Sequence, residues 1–116
     1  MKTFAGRKLN RKSGARLALL RSQAESLLQH EVIRTTLPKA KEVSRFAEKI
    51  ITSAKGADLN SRRAVSRHVM ALTVRKKIFD VLVPRYQPRE GGYTQITRIG
   101  QRAGDGALMA VVRLVP

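Results

Sequence analysis

Residues 31–56 read EVIRTTLPKAKEVSRFAEKIITSAKG. The first seven, Glu31 to Leu37, carry the β-branched Val32, Ile33, Thr35 and Thr36. Ile33, Thr35 and Leu37 fall on one face of an extended chain, so the segment predicts a short strand. Pro38 follows where a first helical turn tolerates a missing N–H, with Thr36 as a candidate cap. Ala40, Val43, Phe46, Ala47, Ile50, Ile51 and Ala54 then recur at three- and four-residue steps, the cleanest helical period in the chain. Lys55 sets a cation on the negative helix end and Gly56 offers a cap beyond it. A half-buried strand running into an amphipathic helix needs a partner for each apolar face, which points to a layered domain.

Upstream, Ser13 can cap a helix running to about His30, with Leu17, Leu20, Ala24, Leu27 and Leu28 forming its apolar stripe. Downstream, Asp58 or Asn60 can start a third helix that buries Val65, His68, Val69 and Leu72. Thr73 can cap a fourth, with Val74, Ile78, Val81 and Leu82 inward, and Pro84 is expected to end it. Residues 84–93 read as a loop closing on Gly91-Gly92-Tyr93. Two strands follow, Tyr93 to Ile99 and Ala107 to Val115, joined by a hairpin loop from Gly100 to Gly106. Leu108, Ala110, Val112 and Leu114 share one side of the second, whereas alternation in the first is imperfect. The order helix, strand, three helices, two strands predicts an α+β fold in two layers. Residues 1–12 read as a basic arm and residues 13–116 as one globular domain.

The chain has 116 residues, of which 24 are Lys or Arg and 8 are Asp or Glu, for a net charge of +16. That length supports one modest core, and 42% hydrophobic content is enough to build it. With no cysteine, a disulfide framework and Cys-rich zinc sites are excluded. No apolar run approaches a membrane span, and the basic start lacks the apolar segment of a secretory signal, so a cytoplasmic protein is expected. Self-repulsion at this charge opposes compactness, and a polyanionic partner is the usual reason for it. Arg outnumbers Lys 15 to 9. Its planar fork takes phosphate oxygens in pairs, which favours nucleic acid over a generic solubilising surface. Aromatic residues make up only 4%, which disfavours single-strand and sheet-based base stacking and favours backbone-dominated contact.

A catalytic constellation is not legible. His30 beside Glu31 could imitate an acid–base pair, but a cation on a helix C-terminus explains it as well. His68 lies on the apolar side of its helix and reads as a half-buried histidine. The acids form no metal-ligand pattern, and Glu42, Arg45 and Glu48 read as ordinary helix pairs. The glycines at 91–92 and 104–106 read as turns, not as a phosphate-binding loop. No cofactor, metal or small-molecule substrate is expected. The signal lies in basic residues: Arg7, Lys8, Arg11 and Lys12 in the arm, Arg16 and Arg21 on the first helix, Lys39 and Lys41 at the start of the second. Arg62, Arg63 and Arg67 follow on the third, Arg75, Lys76 and Lys77 on the fourth, and Arg98 and Arg102 near the hairpin. Together they predict an RNA footprint that wraps more than one face.

Ala5-Gly6-Arg7-Lys8-Leu9-Asn10-Arg11 and Leu19-Leu20-Arg21 resemble the start of the bacterial large-subunit ribosomal protein seventeen family. Ile33-Arg34-Thr35-Thr36, Lys39-Ala40-Lys41, Glu48, Ile50-Ile51-Thr52 and Ala54-Lys55 resemble its most diagnostic segment. Gly91-Gly92-Tyr93-Thr94, Arg102, Gly104-Asp105 and Met109-Ala110 resemble its C-terminal strands. Lys2-Thr3-Phe4 departs from the denser Arg/His run with which members often begin. The resemblance implies a structural ribosomal protein, bound to large-subunit ribosomal RNA near the peptide tunnel exit and touching neighbouring ribosomal proteins. The alternative is a DNA-binding or nucleoid-associated protein, with the third and fourth helices imitating a helix-turn-helix. Against it, residues 61–83 offer no Asn or Gln to read bases. A basic nuclease using His30 or His68 is the remaining class.

Overall fold

The structure is a computed structural model that describes residues 13–56 and 58–116. Helix α1, Ser13–His30, leads into strand β1, Val32–Thr36, and helix α2, Leu37–Ala54. Helix α3, Leu59–Ser66, is short, and helix α4, Leu72–Lys77, runs through a π turn, Ile78–Leu82, into α5, Val83–Tyr86. Strands β2, Thr94–Gln101, and β3, Leu108–Leu114, complete the chain. The result is the expected α+β fold. All three strands are antiparallel, with β3 in the centre and β1 and β2 at the edges.

Residues 31–56 form the strand and helix that their pattern predicts. Thr35 and Leu37 are buried, Ile33 packs on the core, and Pro38 sits in the first turn of α2. Thr36 precedes the helix with an extended backbone but makes no side-chain cap bond. Gly56 is not a left-handed cap; a Cβ there would meet Ser61 Oγ at 2.6 Å, so the glycine lets the start of α3 fold close against the end of α2. Asp58 makes that start, its Oδ1 accepting from Ser61 N at 2.8 Å.

The helices cover one face of the sheet. Ala110, Val112 and Leu114 of β3 are buried against Leu27, Leu28, Val43, Ala47 and Ile51, with Leu82, Tyr86 and Tyr93 closing the core. The Tyr86 and Tyr93 rings meet at 5.1 Å, and the Tyr86 hydroxyl donates to the Val115 carbonyl. The imperfect alternation of β2 has a local cause. A bulge between Arg98 and Gly100 shifts its register on β3, and Gly100 takes a φ of 113° that a side chain would resist.

Downstream of α2 several expectations fail. The third helix stops at Ser66, leaving His68 in a turn and Leu72 exposed rather than buried. Ala71, not Thr73, precedes α4, and Val81 is exposed. Pro84 does not end the helix. Val83 N donates to Ile78 O, five residues back, and this wider turn makes room for the proline ring so that helical structure persists to Tyr86. The sequence carries the proline but not the π turn that tolerates it.

Candidate nucleic-acid interface

Two groups of exposed basic side chains stand out among the described residues, besides Arg45 and Lys49 on α2 and Arg89 after α5; α2 touches both the sheet and α3. The helical region holds Arg62, Arg63 and Arg67 on and after α3, all exposed, together with Lys76 on α4. Arg21 of α1 belongs with them, since both Arg21 and Arg67 act on His68. Burial, then these two cations, push the His68 imidazole below its ordinary pKa. The ring stands edge-on to Phe46, centroids 5.1 Å apart, which makes His68 part of the packing between α2 and the turn after α3.

The second region is one that the basic runs of the sequence do not reveal. Helices cover the sheet face that carries Thr35, Ala110 and Val112, so the alternate residues point away from them. Arg34 pairs with Val111, and Val32 with Arg113, which places two exposed arginines on the open face. Two β-strand positions of the right parity carry the signal, but neither stands in a basic run. Arg98 lies exposed on β2 opposite Ala110, on the register of the covered face rather than the open one, and Arg102 in the hairpin loop is held by Asp105, Nη2 to Oδ2 at 2.5 Å and Nε to Oδ1 at 3.1 Å. That pairing presents the guanidinium in one orientation while lowering the Asp105 pKa to about 2.

The Arg75-Lys76-Lys77 run divides by partner. Arg75 Nη2 donates to Met70 O at 3.1 Å. Lys77 Nζ donates to Gln29 O at 2.7 Å and lies 2.9 Å from Glu31 Oε2. Lys77 therefore joins α4 to the end of α1, and Lys76 alone of the three is exposed without such a tie among the described residues. Glu31 also takes Arg85, so it is a structural acid and not half of a catalytic pair with His30, which is exposed at the end of α1. Glu48 does not stay within α2 as its spacing suggests; its Oε2 accepts from Thr94 N at 3.1 Å and Thr94 Oγ1 at 2.9 Å, tying α2 to β2. Lys39 and Lys41 are half-buried at the start of α2, and Arg16 is half-buried on α1. Arg7, Lys8, Arg11 and Lys12 lie outside the described residues.

Two groups of exposed arginines, one on the α3 region and one on the open sheet face, flank a small α+β core. The family described as Ribosomal protein L17 matches residues 19–115. The chain belongs to the ribosomal protein L17 family. Ribosomal protein L17 is a structural family and not a family of enzymes, in keeping with a sequence that offers no catalytic constellation. Among its relatives, the large ribosomal subunit protein bL17 of Endomicrobium trichonymphae is 50% identical over 115 residues, covering 99% of this chain and 98% of its own. That of Thermus thermophilus is 50% identical over 112 residues, covering 96% and 95%. The bL17 protein of Erythrobacter litoralis is 50% identical over 109 residues, covering 94% of this chain and 78% of its own. No helix among the described residues of this L17-family chain is long and apolar enough to cross a membrane.

Proposed function

We propose that the protein is a structural component of the large ribosomal subunit that binds and stabilises folded large-subunit ribosomal RNA in the cytoplasm, beside neighbouring ribosomal proteins. The observation that carries this reading is the pair of exposed arginine surfaces, one on the α3 and α4 region and one on the open sheet face. Cations on more than one face suit a chain set within a folded RNA, which meets phosphates from several directions. Family membership supports the same reading, and the position near the peptide tunnel exit rests on it alone. The basic arm, residues 1–12, adds five cations for phosphate contact.

Two comparisons test the proposal. The full chain should bind folded large-subunit ribosomal RNA more tightly than duplex DNA of equal length, and should stay with large subunits sedimented at high salt. Equal affinity for the duplex, or complete loss from the subunit at high salt, contradicts it. Deleting residues 1–12 should weaken incorporation into the subunit while leaving the thermal transition in place. Loss of both would place the arm in the core.

A further inference from the structure

The π turn brings Phe79 and Asp80 into the wall of a groove whose other sides are Leu72, Arg75 and Lys76 of α4 and Arg62 of α3. The groove has a volume of about 450 Å³, within the range of small-ligand sites. Its chemistry is mixed in a way that a phosphate surface is not. Leu72 is 72% exposed at its edge, and the Arg62 guanidinium lies over the half-buried Phe79 ring, Cζ 4.5 Å from the centroid. Asp80 is exposed and has no hydrogen-bond or ion-pair partner among the described residues. An exposed leucine contributes nothing to binding phosphate, and a carboxylate opposes it.

We propose that this groove takes one unpaired guanine nucleotide of the RNA, an inference that rests on the RNA-binding reading above. A guanidinium backed by an aromatic ring and flanked by an aliphatic side chain is a platform on which a base stacks. Arg75, held to Met70 O by one nitrogen, and Lys76 supply donors for the nucleotide phosphate. Asp80 selects the base. A carboxylate only accepts hydrogen bonds, and guanine is the base whose Watson–Crick edge presents two adjacent donors, N1–H and the N2 amino group. Adenine and cytosine place a ring-nitrogen acceptor beside their amino group, and uracil flanks its single N3–H with two carbonyl oxygens. Each of these sets a lone pair against the carboxylate.

The test titrates the full-length, isotopically labelled protein with GMP, AMP, CMP, UMP and inorganic phosphate, followed by NMR. GMP should shift resonances of residues 72–80 and bind about tenfold more tightly than the other nucleotides, a discrimination of the size one paired base contact provides. Asp80→Asn should keep a dispersed spectrum and lose the preference for GMP. An equal response to all four nucleotides, inorganic phosphate reproducing the GMP shifts, or silence at residues 72–80 overturns the proposal. The last result would leave the exposed leucine to a protein neighbour. The same samples are titrated with folded large-subunit ribosomal RNA. Retained RNA binding without a guanine response defeats the groove alone, whereas absent RNA binding defeats the reading beneath it.

Discussion

Arg85 grips Glu31 with both terminal nitrogens, Nη1 to Oε1 at 2.6 Å and Nη2 to Oε2 at 3.3 Å. Glu31 is also the one non-glycine residue with a positive φ among the described residues, at 67°. The two facts belong together. The left-handed backbone turns the chain from α1 into β1, with Glu31 N donating to Leu27 O at 2.7 Å and Leu114 N donating to Glu31 O at 2.9 Å. A glycine would adopt that φ without strain. Glutamate stands there because its side chain, and no glycine, can tie Lys77 and Arg85 to the end of α1.

This clamp predicts an acid-sensitive component of stability. Hydrogen bonds from Arg85, then Lys77, hold the Glu31 pKa down at about 2 from its ordinary 4.5. A depressed carboxylate stabilises the fold above the unfolded-state pKa, and that contribution fades as pH falls from about 4.5 towards 2. Because the pair is partly solvated, the contribution at neutral pH is about 1 kcal/mol after screening. Glu31→Gln should lose that amount at pH 7 and make the stability curve shallower between pH 4.5 and 2, as followed by urea denaturation. An unchanged acid limb would show that the clamp contributes nothing.

Adjacent lysines on α4 should behave oppositely. Lys77→Ala breaks the ties to Gln29 and Glu31 and should cost about 1 kcal/mol of stability. Lys76→Ala removes an exposed cation and should change stability by less than about 0.5 kcal/mol, while weakening RNA binding and lowering its salt dependence. Thermal melts and RNA titrations of both variants separate the roles. A destabilised Lys76→Ala beside a neutral Lys77→Ala would reverse the assignment.

Within α2, depth should order the cost of truncation. Ile51 is fully buried, so Ile51→Ala should cost about 2–5 kcal/mol. Phe46 only packs against the core from its edge, beside His68, and Phe46→Ala should cost less, about 1–3 kcal/mol. A larger loss at Phe46 in chemical denaturation would place the weight of the core between α2 and α3 instead.

His68 gives a second pH signature, in a different window. Burial, then Arg21 and Arg67, disfavour its charged form in the folded state. The unfolded chain binds that proton more readily, so stability should fall as pH drops below about 6.5. His68→Gln should remove that slope while leaving the lower one, to which Glu31 contributes. A wild-type stability that is flat or rising below about 6.5 would contradict the placement of the ring.

The residues that make the fold readable are those whose environment is set by near neighbours. Ala40 through Ala54 bury a helical stripe, and Ala110, Val112 and Leu114 bury one face of a strand, because period alone decides which side meets the core. Asp58 is legible as a cap for the same local reason. The π turn is not, since Ile78 to Leu82 carries no local signature and owes its shape to the need to bury Leu82 and Tyr86 while passing Pro84. At the interface, runs of basic residues draw attention to Lys77, whose partners Glu31 and Gln29 lie far away in sequence. Isolated Arg34 and Arg113 escape it, although strand register brings both to the open face. Charge density along a chain locates cations; only tertiary pairing shows which are spent inside the protein.

The most direct test of the account is the affinity of the full chain for folded large-subunit ribosomal RNA between roughly 50 and 200 mM salt. Contact made mainly through phosphates predicts that log affinity falls linearly with log salt, losing roughly 10³- to 10⁵-fold over that range for about 6–10 neutralised phosphates. An affinity that barely changes with salt would contradict the claim that the two arginine surfaces hold the RNA.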